Sequence, residues 1–280
     1  MPNDIELRRL CERTFESVVR AEGLDILGWR DVPVNPKKIG WLSRRVMPNV
    51  RQAFLKAPID VGDDEFERKL YVARKQIETE IDELKSPQTR DAVRHFYICS
   101  MSARTIVYKG LIVADQLNGF YLDLQNDLVN SAFALVHSRF STNTLGEWKL
   151  AHPYRMLCHN GEINTLQGNV NWMRARSQIF TSSLFGQDVK KLSPVTKEGE
   201  SDTASFDQAF ELLTLGGRQI EHVAAMMIPE PWFGHESMPA GKKAFYEYHG
   251  SIIEPWDGPA MCRAWFAGPI QSKAERKASI

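Results

Sequence analysis

The chain has 280 residues, 43% of them hydrophobic and 25% charged, enough for a sizeable apolar core in one large domain or two small ones. Its 35 basic residues balance 35 acidic ones, so no global field draws in nucleic acid or an anionic membrane, and neither is an expected partner. The four cysteines, Cys11, Cys99, Cys158 and Cys262, form no CxxC pair, and no apolar run nears the roughly 20 residues that span a bilayer; the reading is a cytoplasmic protein without zinc ribbon, disulfide framework or membrane span.

Leu7, Leu10, Cys11, Phe15 and Val18 recur at three-to-four spacing, with Asn3 or Asp4 as cap and Gly23 as stop, so the first element is an amphipathic helix from Asp4 to Gly23. Asp25 to Val32 reads as a short strand closed by Pro33 and Pro36. A second helix is expected from about Glu65 to Leu84, where Phe66, Leu70, Ala73, Ile77, Ile81 and Leu84 make one apolar stripe and charged residues fill the other face, the usual mark of solvent. From His95 the period changes. Phe96–Cys99, Thr105–Tyr108, Phe120–Leu122 and Ala132–Val136 are aromatic or β-branched runs divided by Gly, Asn and Asp, and are expected as strands. Helical spacing returns at Gly168–Phe180 and Phe206–Leu215, the latter stopped by Gly216 and Gly217. A strand-rich centre flanked by helices predicts a layered α+β domain.

Several residues carry chemical potential, each with a plain structural alternative. Arg139, after the Ala132–Val136 run, can offer a planar fork to a carboxylate or make a surface ion pair. Asn160-Gly161 can supply an amide donor and a backbone N–H to an oxyanion, or form an ordinary hairpin turn. Asp202 can bind an ammonium group or cap the helix that follows. His137, His152 and His159 lie close in sequence but match no metal-ligand spacing, so no metal is expected, and without a GxSxG elbow serine hydrolysis is not expected either.

The joint order and wording of these residues resembles the class II glutamine amidotransferase domain of the glutamate synthase large chain. The resemblance runs from about Ile5 to Ala260. It rests on His137-Ser138-Arg139-Phe140-Ser141-Thr142-Asn143-Thr144, Ala151-His152-Pro153-Tyr154 and His159-Asn160-Gly161-Glu162-Ile163-Asn164-Thr165. Gly28-Trp29-Arg30-Asp31-Val32-Pro33, Tyr108-Lys109-Gly110-Leu111, Phe120-Tyr121-Leu122-Asp123-Leu124 and Glu254-Pro255-Trp256-Asp257-Gly258-Pro259-Ala260 extend it. By that resemblance the fold is an α+β sandwich of the N-terminal-nucleophile type, with layers αββα. Arg139 binds the glutamine α-carboxylate, Asp202 binds the α-ammonium group, and Asn160 and Gly161 form the oxyanion hole. The ligand is glutamine; FMN and an iron–sulfur cluster belong to other domains of the family, and no cofactor is expected on this chain.

Two departures qualify the resemblance. The family's nucleophile is an N-terminal cysteine whose free amine serves as base, whereas this sequence opens Met1-Pro2-Asn3-Asp4 and its first cysteine, Cys11, falls on the apolar stripe of a helix, where its nitrogen is an amide. The expectation is a partial domain over 1–260, incomplete at its N-terminus and inactive alone. Beyond Ala260 the wording diverges, and 261–280 is expected to be a disordered tail. Three functions fit: part of a glutaminase that in the full enzyme passes ammonia on for glutamate synthesis from 2-oxoglutarate, a non-catalytic glutamine-binding or complementing module paired with a separately encoded N-terminal segment, or a non-functional truncated product.

Overall fold

Helix α1 (Ile5–Ala21) begins where the Asp4 carboxylate accepts the Leu7 N–H at 2.9 Å. It ends at Gly23, whose φ of +72° lets Leu24 N–H reach the Val19 carbonyl at 3.0 Å. The computed structural model describes residues 1–84, 89, 93, 95–138, 146–197 and 199–258, with the backbone of 260–264. Strand β1 (Asp25–Asp31) pairs antiparallel with β2 (Arg51–Lys56), and between them lies the short helix α2 (Trp41–Arg45). Helix α3 (Asp63–Glu83) packs Phe66, Leu70, Ala73, Ile77 and Ile81 against Cys11, Phe15, Val18 and Val19 of α1, with Trp29 of β1 edge-on to Phe15 at 4.8 Å. Each such fully buried side chain contributes about 1.5–3 kcal/mol, so this α1–α3 seam holds the first half together. Cys11 is fully buried there, a core residue as expected.

The other flank of α3 serves a second core. Tyr71 and Val72 join Leu157 of β3 (Leu157–Gly161), Met173 of α5 (Leu166–Ser177), Phe206 and Phe210 of α6 (Asp202–Leu215), Val223 and Met227 of α7 (Ile220–Met227), and Trp256. Helix α8 (Ala240–Gly250) covers α7. A helix with two apolar flanks must bury what lies between them, and this corrects the expectation that the charged face of α3 meets solvent. Glu67, Arg74, Lys75 and Glu78 are buried. Arg74 pairs with Glu78 at 3.0 Å and with Glu211 of α6, Arg155 reaches Glu78 at 2.9 Å, and Lys75 donates to the Pro194 and Val195 carbonyls at 2.7 and 3.1 Å. Burial alone would raise the Glu78 pKa, but Arg74 and Arg155 overcome it and hold it at about 2.

The strands expected at 96–99, 105–108, 120–122 and 132–136 do not form. Phe120 instead closes the short helix α4 (Leu117–Phe120), and Tyr121 makes an isolated bridge to Val34. Aromatic and β-branched residues favour a pleated, half-buried surface, but a strand exists only beside a partner. Among the described residues, 97–109 make no backbone-to-backbone hydrogen bond at all. The described sheets are therefore two-stranded, β1–β2 and β3–β4 (Ala260–Ala264), in a mixed helix-and-strand architecture with few strands. The fourth strand also corrects a boundary: Met261–Ala264, assigned to a disordered tail, pair with Leu157–Asn160, while 265–280 lie outside the described residues.

Candidate functional site

Strand β3 carries Asn160 and Gly161 to the surface, and its direction is set by a carboxylate. Asp207, fully buried in α6, accepts the backbone N–H groups of Arg155, Met156 and Leu157 at 3.3, 2.8 and 3.2 Å. Burial, then the charge of Glu211, pushes its pKa up to about 6 against the pull of Arg155 and these N–H donors. The chain thus enters β3 already tied to α6, and Asn160-Gly161 closes a strand rather than forming the two-residue hairpin turn that was the structural alternative.

The N-terminus of α6 is tied to the other end of β3. Ser201, not Asp202, is the cap: its hydroxyl accepts the Ala204 N–H at 3.2 Å and lies 3.0 Å from the Tyr154 hydroxyl. Asp202 is left to bind across, accepting the Ile163 N–H at 3.0 Å while its other oxygen takes the Thr203 N–H at 2.6 Å and the Thr203 hydroxyl at 3.2 Å. With that hydroxyl proton directed to Asp202, His159 donates its Nδ1–H to the Thr203 oxygen, at 3.2 Å. His159 is buried and burial lowers its pKa; its Nε2 finds no partner among the described residues. His152 stacks 4.4 Å from His137, and burial first, then His137 and Lys109, pull its pKa down to about 3. Both histidines are neutral at pH 7, and no described group of three or more His, Cys, Asp or Glu is arranged to hold a metal.

The loop after Gly161 is clamped from the far end of the chain. Asn164 N–H donates to the Asp257 carbonyl at 2.8 Å, Asp257 N–H donates to the Thr165 hydroxyl at 2.9 Å, and Asn169 donates to the Pro255 carbonyl at 3.0 Å. Glu254 pairs bidentately with Arg176, and Trp256 packs edge-on to Phe206 at 5.5 Å. Gly258 has to be glycine, because a Cβ there would come within 2.0 Å of the Glu162 carbonyl oxygen. The two sequence runs His159–Thr165 and Glu254–Gly258, almost a hundred positions apart, are therefore one interlocked structure.

Of the predicted site residues, the structure brings Asn160, Gly161 and Asp202 to one edge; Arg139 lies outside the described residues. Sequence reasoning missed Thr203 and Asp207, weighed His159 only as a metal ligand, and did not single out Ser201 as the cap. Ser201 carried the ordinary cap signal, and Asp207 the signal of an acid beside Phe206 and Phe210 on a buried helix face.

Residues 1–267, which include this strand-to-helix edge, match the family model of the class II glutamine amidotransferases, and the chain belongs to that family. The match continues past Ala260 into β4. Among individual proteins, the chain is 50% identical over 253 residues to the glutamate synthase (NADPH) large chain of Bacillus subtilis, covering 90% of this chain and 16% of that protein. It is 39% identical over 264 residues to ferredoxin-dependent glutamate synthase 1 of Arabidopsis thaliana, covering 93% and 16%. It is 40% identical over 258 residues to glutamate synthase (NADH) of Saccharomyces cerevisiae, covering 90% and 12%. The chain thus spans about a sixth or less of the relatives it matches. No described helix is long and apolar enough to cross a membrane.

Proposed function

We propose that this chain forms the glutamine-binding part of a glutaminase site in a glutamate synthase. The observation that carries the reading is the pair of bonds Asp202 to Ile163 N–H and His159 to Thr203, which hold the Asp202 carboxylate beside the Asn160-Gly161 edge. Asp202 takes the α-ammonium group, Arg139 the α-carboxylate, and Asn160 with the Gly161 N–H the developing oxyanion. Asn160 and Gly161 are solvent-exposed, so a ligand reaches them without rearrangement.

The nucleophile comes from elsewhere. Cys11 is buried mid-helix with its nitrogen in an amide bond, and burial raises its pKa, so it is neither a free amine nor a ready thiolate. In this reading the chain acts with a further N-terminal segment bearing the cysteine, which completes the sandwich of the N-terminal-nucleophile fold. The released ammonia passes to other domains that aminate 2-oxoglutarate. FMN and iron–sulfur chemistry are assigned to those domains and not to this chain, and the whole assembly is placed in the cytoplasm.

Calorimetric titration with L-glutamine and D-glutamine tests the reading, with Asp202→Asn as control. Binding of the L form alone, weakened at least about tenfold by the variant, is the expected result, equivalent to about 1.4 kcal/mol. Equal binding of both enantiomers, or an unchanged affinity in Asp202→Asn, overturns it.

A further inference from the structure

An ionised carboxylate accepts along roughly four lone-pair directions, two on each oxygen. On Asp202, Oδ1 accepts both the Thr203 N–H at 2.6 Å and the Thr203 hydroxyl at 3.2 Å, whereas Oδ2 accepts only the Ile163 N–H at 3.0 Å. Among the described residues, Oδ1 is therefore saturated and Oδ2 keeps an open acceptor position. A ligand ammonium meets a carboxylate already fixed in orientation, so little side-chain freedom is lost when it docks.

That saturation depends on where the Thr203 hydroxyl proton points, and His159 decides it. Both side chains are buried, and the Thr203 hydroxyl oxygen stands 3.2 Å from Asp202 Oδ1 and 3.2 Å from His159 Nδ1. An imidazole protonated at Nδ1 donates to the Thr203 oxygen and turns the hydroxyl proton onto the carboxylate, which makes two bonds. Protonated at Nε2 instead, it takes the hydroxyl proton at Nδ1, makes one bond, and strands a buried N–H at Nε2, an atom with no partner among the described residues. The first arrangement also gives the proton to the charged acceptor, the stronger of the two.

We propose that His159 is a positioning residue for the Asp202 carboxylate: its Nδ1–H, relayed through the Thr203 hydroxyl, saturates Oδ1 and leaves Oδ2 as the acceptor for the amino group of the ligand. The relay makes the site selective for a ligand that carries an α-amino group. His159 on β3 acts on that group only through Thr203 and Asp202 on α6, so the strand and the helix must stay in register for the selectivity to hold. The inference deepens the glutamine reading and rests on it.

Calorimetric titration with L-glutamine and with glutaramate, which is glutamine without its amino group, tests it. The unaltered chain is expected to prefer L-glutamine. Thr203→Val, close in shape but without the hydroxyl, is expected to weaken L-glutamine at least about tenfold and glutaramate less than about twofold, while Thr203→Ser keeps the preference. His159→Leu is expected to follow Thr203→Val, and His159→Asn, whose amide N–H stands near the Nδ1 position, to retain part of the preference. If His159→Leu loses both ligands, Thr203→Val decides. Imidazole nitrogen NMR shifts of the unaltered chain read the tautomer directly, with the His159 proton expected on Nδ1. A proton on Nε2, or a Thr203→Val chain that keeps its preference or loses both ligands alike, overturns the proposal. An unaltered chain that binds both ligands alike, or neither, ends the assignment of Asp202 to the ammonium group and this inference with it. One that prefers L-glutamine beside an unaffected Thr203→Val ends this inference alone.

Discussion

The Asp202 carboxylate accepts the Ile163 N–H at 3.0 Å, joining the first turn of α6 to the loop that follows Asn160-Gly161. One acid thus fixes the loop and, with Thr203 N–H on its other oxygen, holds its own orientation. Asp202→Ala is expected to abolish measurable glutamine binding while lowering stability by only about 1–2 kcal/mol, since a half-buried acceptor is lost but the Ser201 cap remains. Urea denaturation beside calorimetric titration separates the two effects.

Gly258 lies against the same loop. Gly258→Ala would press a methyl group onto the Glu162 carbonyl, so the Glu162–Asn164 turn must move. The expected outcome is at least a tenfold loss of glutamine affinity, about 1.4 kcal/mol, with the α1–α3 half unaffected. Exchange protection in α1 read together with the binding isotherm checks both halves of that statement.

Asp207 gives the fold a pH dependence of defined sign. Its pKa is raised to about 6 by burial, so between its ordinary value of 3.8 and 6 the folded state holds more protons than the unfolded one. This group's contribution to stability therefore rises as pH falls from 6 to 4, against the opposite slope from Glu78, whose pKa of about 2 makes stability fall as pH drops below 4.5. Asp207→Asn keeps one acceptor oxygen and is expected to remove the Asp207 slope at a cost of about 1–2 kcal/mol, whereas Asp207→Leu strands three backbone N–H groups and costs more than about 3 kcal/mol. Denaturation midpoints at several pH values distinguish these outcomes.

Arg74 neutralises two buried carboxylates, those of Glu78 and Glu211. Arg74→Met leaves both without that partner and is expected to destabilise the chain by about 3–5 kcal/mol, with Arg74→Met/Glu211→Leu recovering part of the loss. Thermal unfolding of the single and double variants measures the recovery.

The sequence by itself determined α1, α3, α5 and α6, though not α7 or α8, and the order of residues that carries the family resemblance. Asp4, the Leu7 to Val18 stripe and Gly23 specify α1, because capping, apolar period and a positive-φ stop are all local. The resemblance pointed to a family before any coordinate was known, since the identity and order of Asn160, Gly161, Asp202 and Glu254 to Gly258 are written in the chain. Only the tertiary structure decided which polar residues are buried and which apolar runs are strands. Arg74 and Glu78 read as solvent-facing because helical period shows one stripe at a time, and only the packing of α3 between two cores places them inside. Thr105–Tyr108 has strand composition but no ladder, while Leu157–Gly161 and Met261–Ala264 form one: pairing depends on a partner distant in sequence, and no local signal carries that information.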